Sequence, residues 1–146
     1  YLLDAAVAGE DKRYYSHMGV DWIRTAKAFL TFMQPGGGQV QGGSTITQQL
    51  FKNISGDDKV TIDRKVKEIF RAIKMNNAYT KDEVLEAYLN TIHLGNNTNG
   101  VQAAANLYFD KDVSQLTLAE SAALVAITQN PVYYDLFKNP DNNKVR

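Results

Sequence analysis

The chain has 146 residues, 44% hydrophobic and 22% charged, with eight tyrosines, six phenylalanines and one tryptophan. That is enough for one domain with a core of its own. Sixteen basic and sixteen acidic residues cancel, which excludes a generally basic nucleic-acid binder and an acidic disordered tail. Cysteine is absent, so there is no disulfide framework, no cysteine–zinc site and no thiol nucleophile.

Helical periodicity runs along the whole chain. Leu2, Leu3, Ala6 and Val7 predict a first helix with Glu10 at its end. Trp22, Ile23, Ala26, Phe29, Leu30 and Met33 have the i, i+3, i+4 spacing of an amphipathic helix. Pro35 to Gly38 and then Gly42–Gly43 break the pattern, and Thr45 with Gln48 has the spacing of a capping box. A long helix is expected from about Val60 to Ala78, with Ile62, Val66, Ile69, Phe70 and Ile73 as its apolar stripe. Thr80 with Glu83 opens another helix to about Leu89, and Leu94 to Gly100 is a turn region. Val101 to Tyr108 reads as a helix, and Thr117 with Glu120 opens one more, which ends before Pro131. The class is mostly α. No segment reads as a linker, so residues 1–146 are taken as a single domain. The longest apolar run, Ala122 to Ile127, falls far short of the ~20 residues of a membrane helix. The chain opens on Tyr1, and the expectation is a truncated piece of a longer protein whose membrane anchor lies elsewhere.

Three segments carry chemistry. Glu10–Asp11, followed by His17 and Gly19, sets an acidic pair at a helix end beside Tyr14, Tyr15 and Trp22. A sheltered carboxylate there suits proton abstraction, although the pair by itself also describes two solvated acids. His17 reads as a hydrogen-bonding residue. Gly43 to Gln49, with Lys52 and Asn53 beyond, combines a flexible lead, a helix N-terminus and polar first turns. Such an end attracts anions, and it also fits an ordinary polar cap; the Gly-Lys-Ser/Thr core of a phosphate-binding loop is missing. Arg64-Lys65-Val66-Lys67-Glu68 places a carboxylate among cations, either as a helix-surface ion pair or as an anion cradle. The neutral total hides segregation. Lys52 to Lys74 holds seven basic and four acidic residues, a net of +3, whereas Asp82 to Glu120 holds one basic and six acidic, a net of −5.

In order and spacing these segments match a set of four motifs. Glu10-Asp11-Lys12-Arg13-Tyr14-Tyr15-Ser16-His17-Met18-Gly19 follows Glu-Asp-x-x-Phe-x-x-His-x-Gly, with Tyr14 keeping the ring. Gly42 to Gln49 follows Gly-x-Ser-Thr-Ile-Thr-Gln-Gln, and Arg64 to Glu68 follows Arg-Lys-x-x-Glu. Thr80 to Asn90, then Leu94-Gly95, Gly100 and Ala103-Ala104, resemble the fourth. The chain is therefore similar to the glycosyltransferase domain of penicillin-binding proteins, the peptidoglycan glycosyltransferases (glycosyltransferase family 51). It departs at Gly9, at Lys59 where the family usually has Arg, and at Tyr134-Asp135-Leu136 in place of Tyr-Asn-Pro. The fifth motif, an arginine-rich run after Asn139-Pro140, is reached only at Arg146.

The resemblance implies a lysozyme-like multi-helix fold with a small mobile membrane-facing lobe around Trp22 to Gly38, and a lid or channel loop at Gly36 to Gly43. It implies polymerisation of lipid II by a lipid-linked glycan strand, with inversion, a β-1,4 link and loss of polyprenyl pyrophosphate. Glu10 and Glu68 are the implied catalytic residues, Glu10 as base. Asp11, Ser44, Thr45, Gln49, Lys52, Lys59, Arg64 and Lys65 are implied to bind substrate. Glu68 is read either as orienting the cations or as holding a divalent ion, Mg or Mn; no other cofactor is called for. The implied partners are lipid II, the growing strand and the membrane surface at the extracytoplasmic face of a bacterial cell, with a transpeptidase domain beyond Arg146 allowed. A lytic enzyme on the same fold and a non-catalytic wall-binding module are the rival readings.

Overall fold

In the computed structural model, residues 1–32, 42–56 and 61–144 are described. Met33 to Gln41, Asp57 to Val60 and the last two residues lie outside them, and so do the side chains of Phe29 and Phe32. The expectations placed on Lys59, on the glycine stretch before Gly42, on Arg146 and on those apolar side chains fall there.

The described residues form eight α-helices and two short 3₁₀ turns, with no strand among them: α1 (Leu2–Glu10), α2 (Trp22–Phe32), α3 (Ile46–Ser55), α4 (Ile62–Ala78), α5 (Lys81–Thr91), α6 (Val101–Phe109), α7 (Leu118–Ile127) and α8 (Pro140–Lys144). The 3₁₀ turns are Tyr14–Ser16 and Val113–Gln115. The mostly helical class is as expected.

The start signals hold at atomic level. Thr45 and Thr117 each close a full capping box, with Gln48 and Glu120 respectively. Thr80 does the same with Glu83, whose carboxylate accepts the Thr80 N–H at 2.8 Å. The pairing of Thr61 with α4 was not anticipated: its hydroxyl accepts the Arg64 N–H at 3.2 Å, starting the helix slightly later than Val60.

The chain divides into two compact units: Glu10–Leu85, and Tyr1–Gly9 together with Glu86–Arg146. In the second unit, α6 and α7 pack together, and α8 packs on α7. Asn143 ties α8 down by donating to the carbonyls of Ala123 and Tyr134 at 3.1 and 3.2 Å. Asp135, standing where the family motif has Asn, accepts the backbone N–H groups of Phe137 and Lys138 and the side chain of Asn96. Gly9 has a steric reason of its own: a Cβ there would sit 2.9 Å from Val125 Cγ1.

In the unit Glu10–Leu85, α3 packs against α4. The face of α4 that turns inward differs from the expected apolar stripe. Glu68 and Ala72 are buried, while Ile62, Val66 and Phe70 are 76%, 45% and 69% exposed. Packing decides this. Gly19, at φ +85°, lies against the α4 backbone so closely that a Cβ would meet the Ala72 carbonyl oxygen at 2.4 Å. A glycine at position 19 allows that approach to the α4 backbone. On α2, Trp22, Ile23 and Leu30 are likewise 60%, 56% and 63% exposed.

Candidate active site

The site is assembled within residues 10–85 from the end of α1, the first turn of α2, the N-terminal half of α3 and the first turns of α4. α1 ends at Glu10, and the chain leaves it through Asp11 into the 3₁₀ turn at Tyr14. Tyr14 is wholly buried, and its hydroxyl donates to the Lys81 carbonyl at 2.7 Å. Burial first, and then the neighbouring Tyr15, Asp11 and Asp82, push this phenol well above its usual range. The Lys81 ammonium lies 4.5 Å from the centre of the Tyr14 ring, and burial pulls its pKa below the ordinary lysine value. The ring retained from the family motif is thus a packing element with a polar handle.

Glu10 is buried at 9% exposure, and its Oε2 accepts from Gln49 Nε2 of α3 at 3.0 Å. Asp11 is wholly buried. Its Oδ2 accepts from the first helical N–H of α3, at Ile46, at 3.1 Å, and faces His17 Nε2 at 2.9 Å. The N–H of Gln48 goes to Thr45 Oγ1 at 3.2 Å. The anion expected at this helix N-terminus is therefore the protein's own Asp11, with the helix dipole favouring it. Thr45, also fully buried, caps α3 and donates its hydroxyl to the Gly19 carbonyl at 2.6 Å. Asp11 and Thr45 present no surface to solvent; they hold other parts of the site in place.

Across the α3–α4 packing, Ser44 Oγ accepts from Lys65 Nζ at 2.9 Å. Lys65 also donates to Glu68 Oε1, and Arg64 donates to Glu68 Oε2. Glu68 is 2% exposed, whereas Arg64 and Lys65 are 17% and 35% exposed. The carboxylate lies beneath the two cations and gathers them. Lys52 stands exposed on the last turn of α3, one turn beyond Gln49. Both Glu68 oxygens receive charged donors, and no group of three or more His, Asp or Glu side chains that could hold a metal occurs among the described residues. Glu68 as placed therefore orients Arg64 and Lys65.

The sequence-based reading missed two supports. Arg13 clamps Asp21 through two hydrogen bonds at 2.9 and 2.7 Å. Asp21 in turn accepts the N–H groups of Ile23 and Arg24, both at 3.1 Å, and so caps α2. Burial would raise the Asp21 carboxyl, but the Arg24 N–H and the Arg13 fork outweigh it and hold the group below its ordinary range. Arg24 itself reaches back to Glu10, Asp11 and Gly42. An Asp one residue before an amphipathic run was a legible cap signal, whereas the reach of Arg24 had none.

Helical composition, an acid held at the end of one helix and a basic pair gathered on another define the class at which the motifs point. A family model described as transglycosylase matches residues 1–146. The chain belongs to the transglycosylase family. It is 45% identical over 143 residues to penicillin-binding protein 1F of Bacillus subtilis, covering 98% of this chain and 20% of that protein. It is 41% identical over 141 residues to penicillin-binding protein 1A of Aquifex aeolicus, covering 97% of this chain and 19% of that protein. It is 43% identical over 145 residues to penicillin-binding protein 1A of Neisseria cinerea, covering 99% of this chain and 18% of that protein. The chain spans about a fifth of the length of these curated relatives.

Proposed function

We propose that this domain is a peptidoglycan glycosyltransferase that joins lipid II to a lipid-linked glycan strand through a β-1,4 bond, with inversion and release of polyprenyl pyrophosphate. One observation carries the reading: the N-terminal part of α3 connects a held carboxylate with a held basic pair. Gln49 fixes Glu10, and Ser44 fixes Lys65, which Glu68 gathers with Arg64.

In the proposed reaction the sugar 4-hydroxyl of the acceptor attacks the anomeric carbon of the donor. Glu10 takes the hydroxyl proton as the new C–O bond forms. The bond from the anomeric carbon to pyrophosphate breaks, and its electron pair leaves with the pyrophosphate oxygen. Charge grows on that group, and fixed cations stabilise it more than they stabilise the intact donor. Lys65 and Arg64 supply that charge, Ser44 contributes a hydroxyl, Lys52 adds a cation on the last turn of α3, and Lys59 is carried over as a further binding residue from the motif resemblance alone. Glu68 acts through Arg64 and Lys65, and Asp11 and Thr45 act by fixing α3.

The exposed apolar side chains of Trp22, Ile23 and Leu30 on α2, and of Ile62, Val66 and Phe70 on α4, support contact with the membrane that carries a polyprenyl substrate. The proposed placement is at the extracytoplasmic face, through this surface and as part of a longer protein; no described helix is long and apolar enough to cross a membrane. A transpeptidase domain in that longer protein is the proposed covalent partner.

Incubation of the full-length protein with lipid II tests the reading. Glycan polymer is the expected product. Cleavage of preformed glycan without polymerisation supports a lytic enzyme instead, and binding to glycan without either reaction supports a wall-binding module.

A further inference from the structure

We propose that Arg24 is a positioning residue for the reaction: its guanidinium holds the main chain at Glu10 and the approach to α3 at one fixed separation. The proposal rests on the glycosyltransferase reading. It concerns a side chain that belongs to none of the four motifs and follows the last glycine of the first by five positions.

Arg24 is anchored before it reaches the site. Its own N–H is received by Asp21 at 3.1 Å, and Asp21 is gripped by Arg13. From this fixed base the side chain, 25% exposed, extends to three acceptors on two separate segments. Nη1 donates to the Glu10 carbonyl at 2.8 Å and stands 3.4 Å from Asp11 Oδ1. Nη2 donates to the carbonyl of Gly42. The bond to Glu10 is made to its backbone and fixes the point from which that side chain projects. Gln49 fixes the carboxylate end. The bond to Gly42 lies two residues before Ser44, whose hydroxyl takes the Lys65 ammonium. One planar group thus restrains both the proposed base and the chain leading to the proposed pyrophosphate cradle. A lysine in its place would offer a single rotating charge and could not serve divergent acceptors with a fixed fork.

Arg24→Ala is expected to lower kcat for lipid II polymerisation by roughly 10²-fold, the scale set by ångström-level misplacement of reacting groups. KM is expected to change less than about threefold, since no substrate contact is removed. Free guanidinium at millimolar concentration should restore part of the lost kcat in Arg24→Ala and do nothing for Glu10→Gln. Arg24→Lys should fold like the parent, shown by circular dichroism, and keep an intermediate kcat at unchanged KM. The proposal is overturned by wild-type kcat in Arg24→Lys or in a folded Arg24→Ala, by a loss confined to KM, or by absence of guanidinium rescue. These outcomes are separate from failure of the parent reading, which would appear as a wild-type protein that makes no polymer.

Discussion

Glu10 owes its candidacy to where its neighbours point. The carboxylate is buried at 9% exposure and oriented by Gln49 from a helix 39 residues away in sequence. Glu10→Gln keeps the shape and removes the base, so kcat is expected to fall by roughly 10²- to 10⁴-fold with an unchanged circular dichroism spectrum. Steady-state polymerisation assays check it, and a variant with near-parental kcat would remove Glu10 from the role of base. Glu68→Gln leaves Arg64 and Lys65 without their common carboxylate. The expected result is a fall of about 10² or more in kcat, accompanied by a weaker response of the rate to added pyrophosphate as an inhibitor. Gly19→Ala acts on stability. Its φ of +85° and the 2.4 Å approach to the Ala72 carbonyl leave no room for a methyl group. A loss of about 2 kcal/mol or more is expected in chemical denaturation, whereas a neutral effect would mean that α4 moves aside freely. Glu10, Asp11 and Gly19 were all visible as a motif. The different partners of the two acids, Glu10 held by Gln49 and Asp11 by the Ile46 N–H, were not, because adjacent residues in a chain carry no record of which group of a distant helix each will meet.

At the scale of elements, α3 organises the site. Its capping box was legible from Thr45 and Gln48 because that interaction is local, spanning three residues. What the cap also does, bonding the Gly19 carbonyl 26 residues away, was not. Thr45→Ala therefore removes a cap and orphans a buried carbonyl together. The expected cost is about 2 kcal/mol, read as a lowered midpoint in urea, with Thr45→Ser recovering most of it. The element reading failed at α4. Its apolar residues recur at helical spacing, yet Ile62 and Phe70 face outward while the Glu68–Ala72 side packs inward. Periodicity identifies an apolar face but not what that face meets. Here the inner side is chosen by the Gly19–Ala72 approach and by a carboxylate that two cations make tolerable to bury.

At the scale of the whole molecule, the zero net charge conceals carboxylates held low in both compact units. Asp21 lies in residues 10–85, while Asp135 and Glu120 lie in the other unit. The Lys111 ammonium, followed by the Thr117 N–H, holds Glu120 down to about 2. A depressed carboxyl contributes stability that is present above its unfolded value of about 4 and is lost as pH falls towards the folded one. Thermal midpoints are therefore expected to hold from pH 7 to about pH 5 and then fall between about pH 4 and pH 2. In Glu120→Gln the part of that fall due to this group should vanish, making the variant less stable than the parent at pH 7 and closer to it at pH 2. Calorimetry across that range checks both statements, and an identical pH slope in the variant would remove Glu120 from the account.

The sequence by itself determined what depends on neighbours along the chain: helices from their spacing, caps from residues three apart, and the family from four motifs in order. Tertiary structure alone decided which side of α4 is inside, that Asp11 fills the α3 N-terminus, that Ser44 takes the Lys65 ammonium, and that Arg24 ties Glu10 to Gly42. Those outcomes depend on approaches between segments tens of residues apart, where close packing and the cost of burying an unpaired charge select one arrangement among several that the local pattern permits.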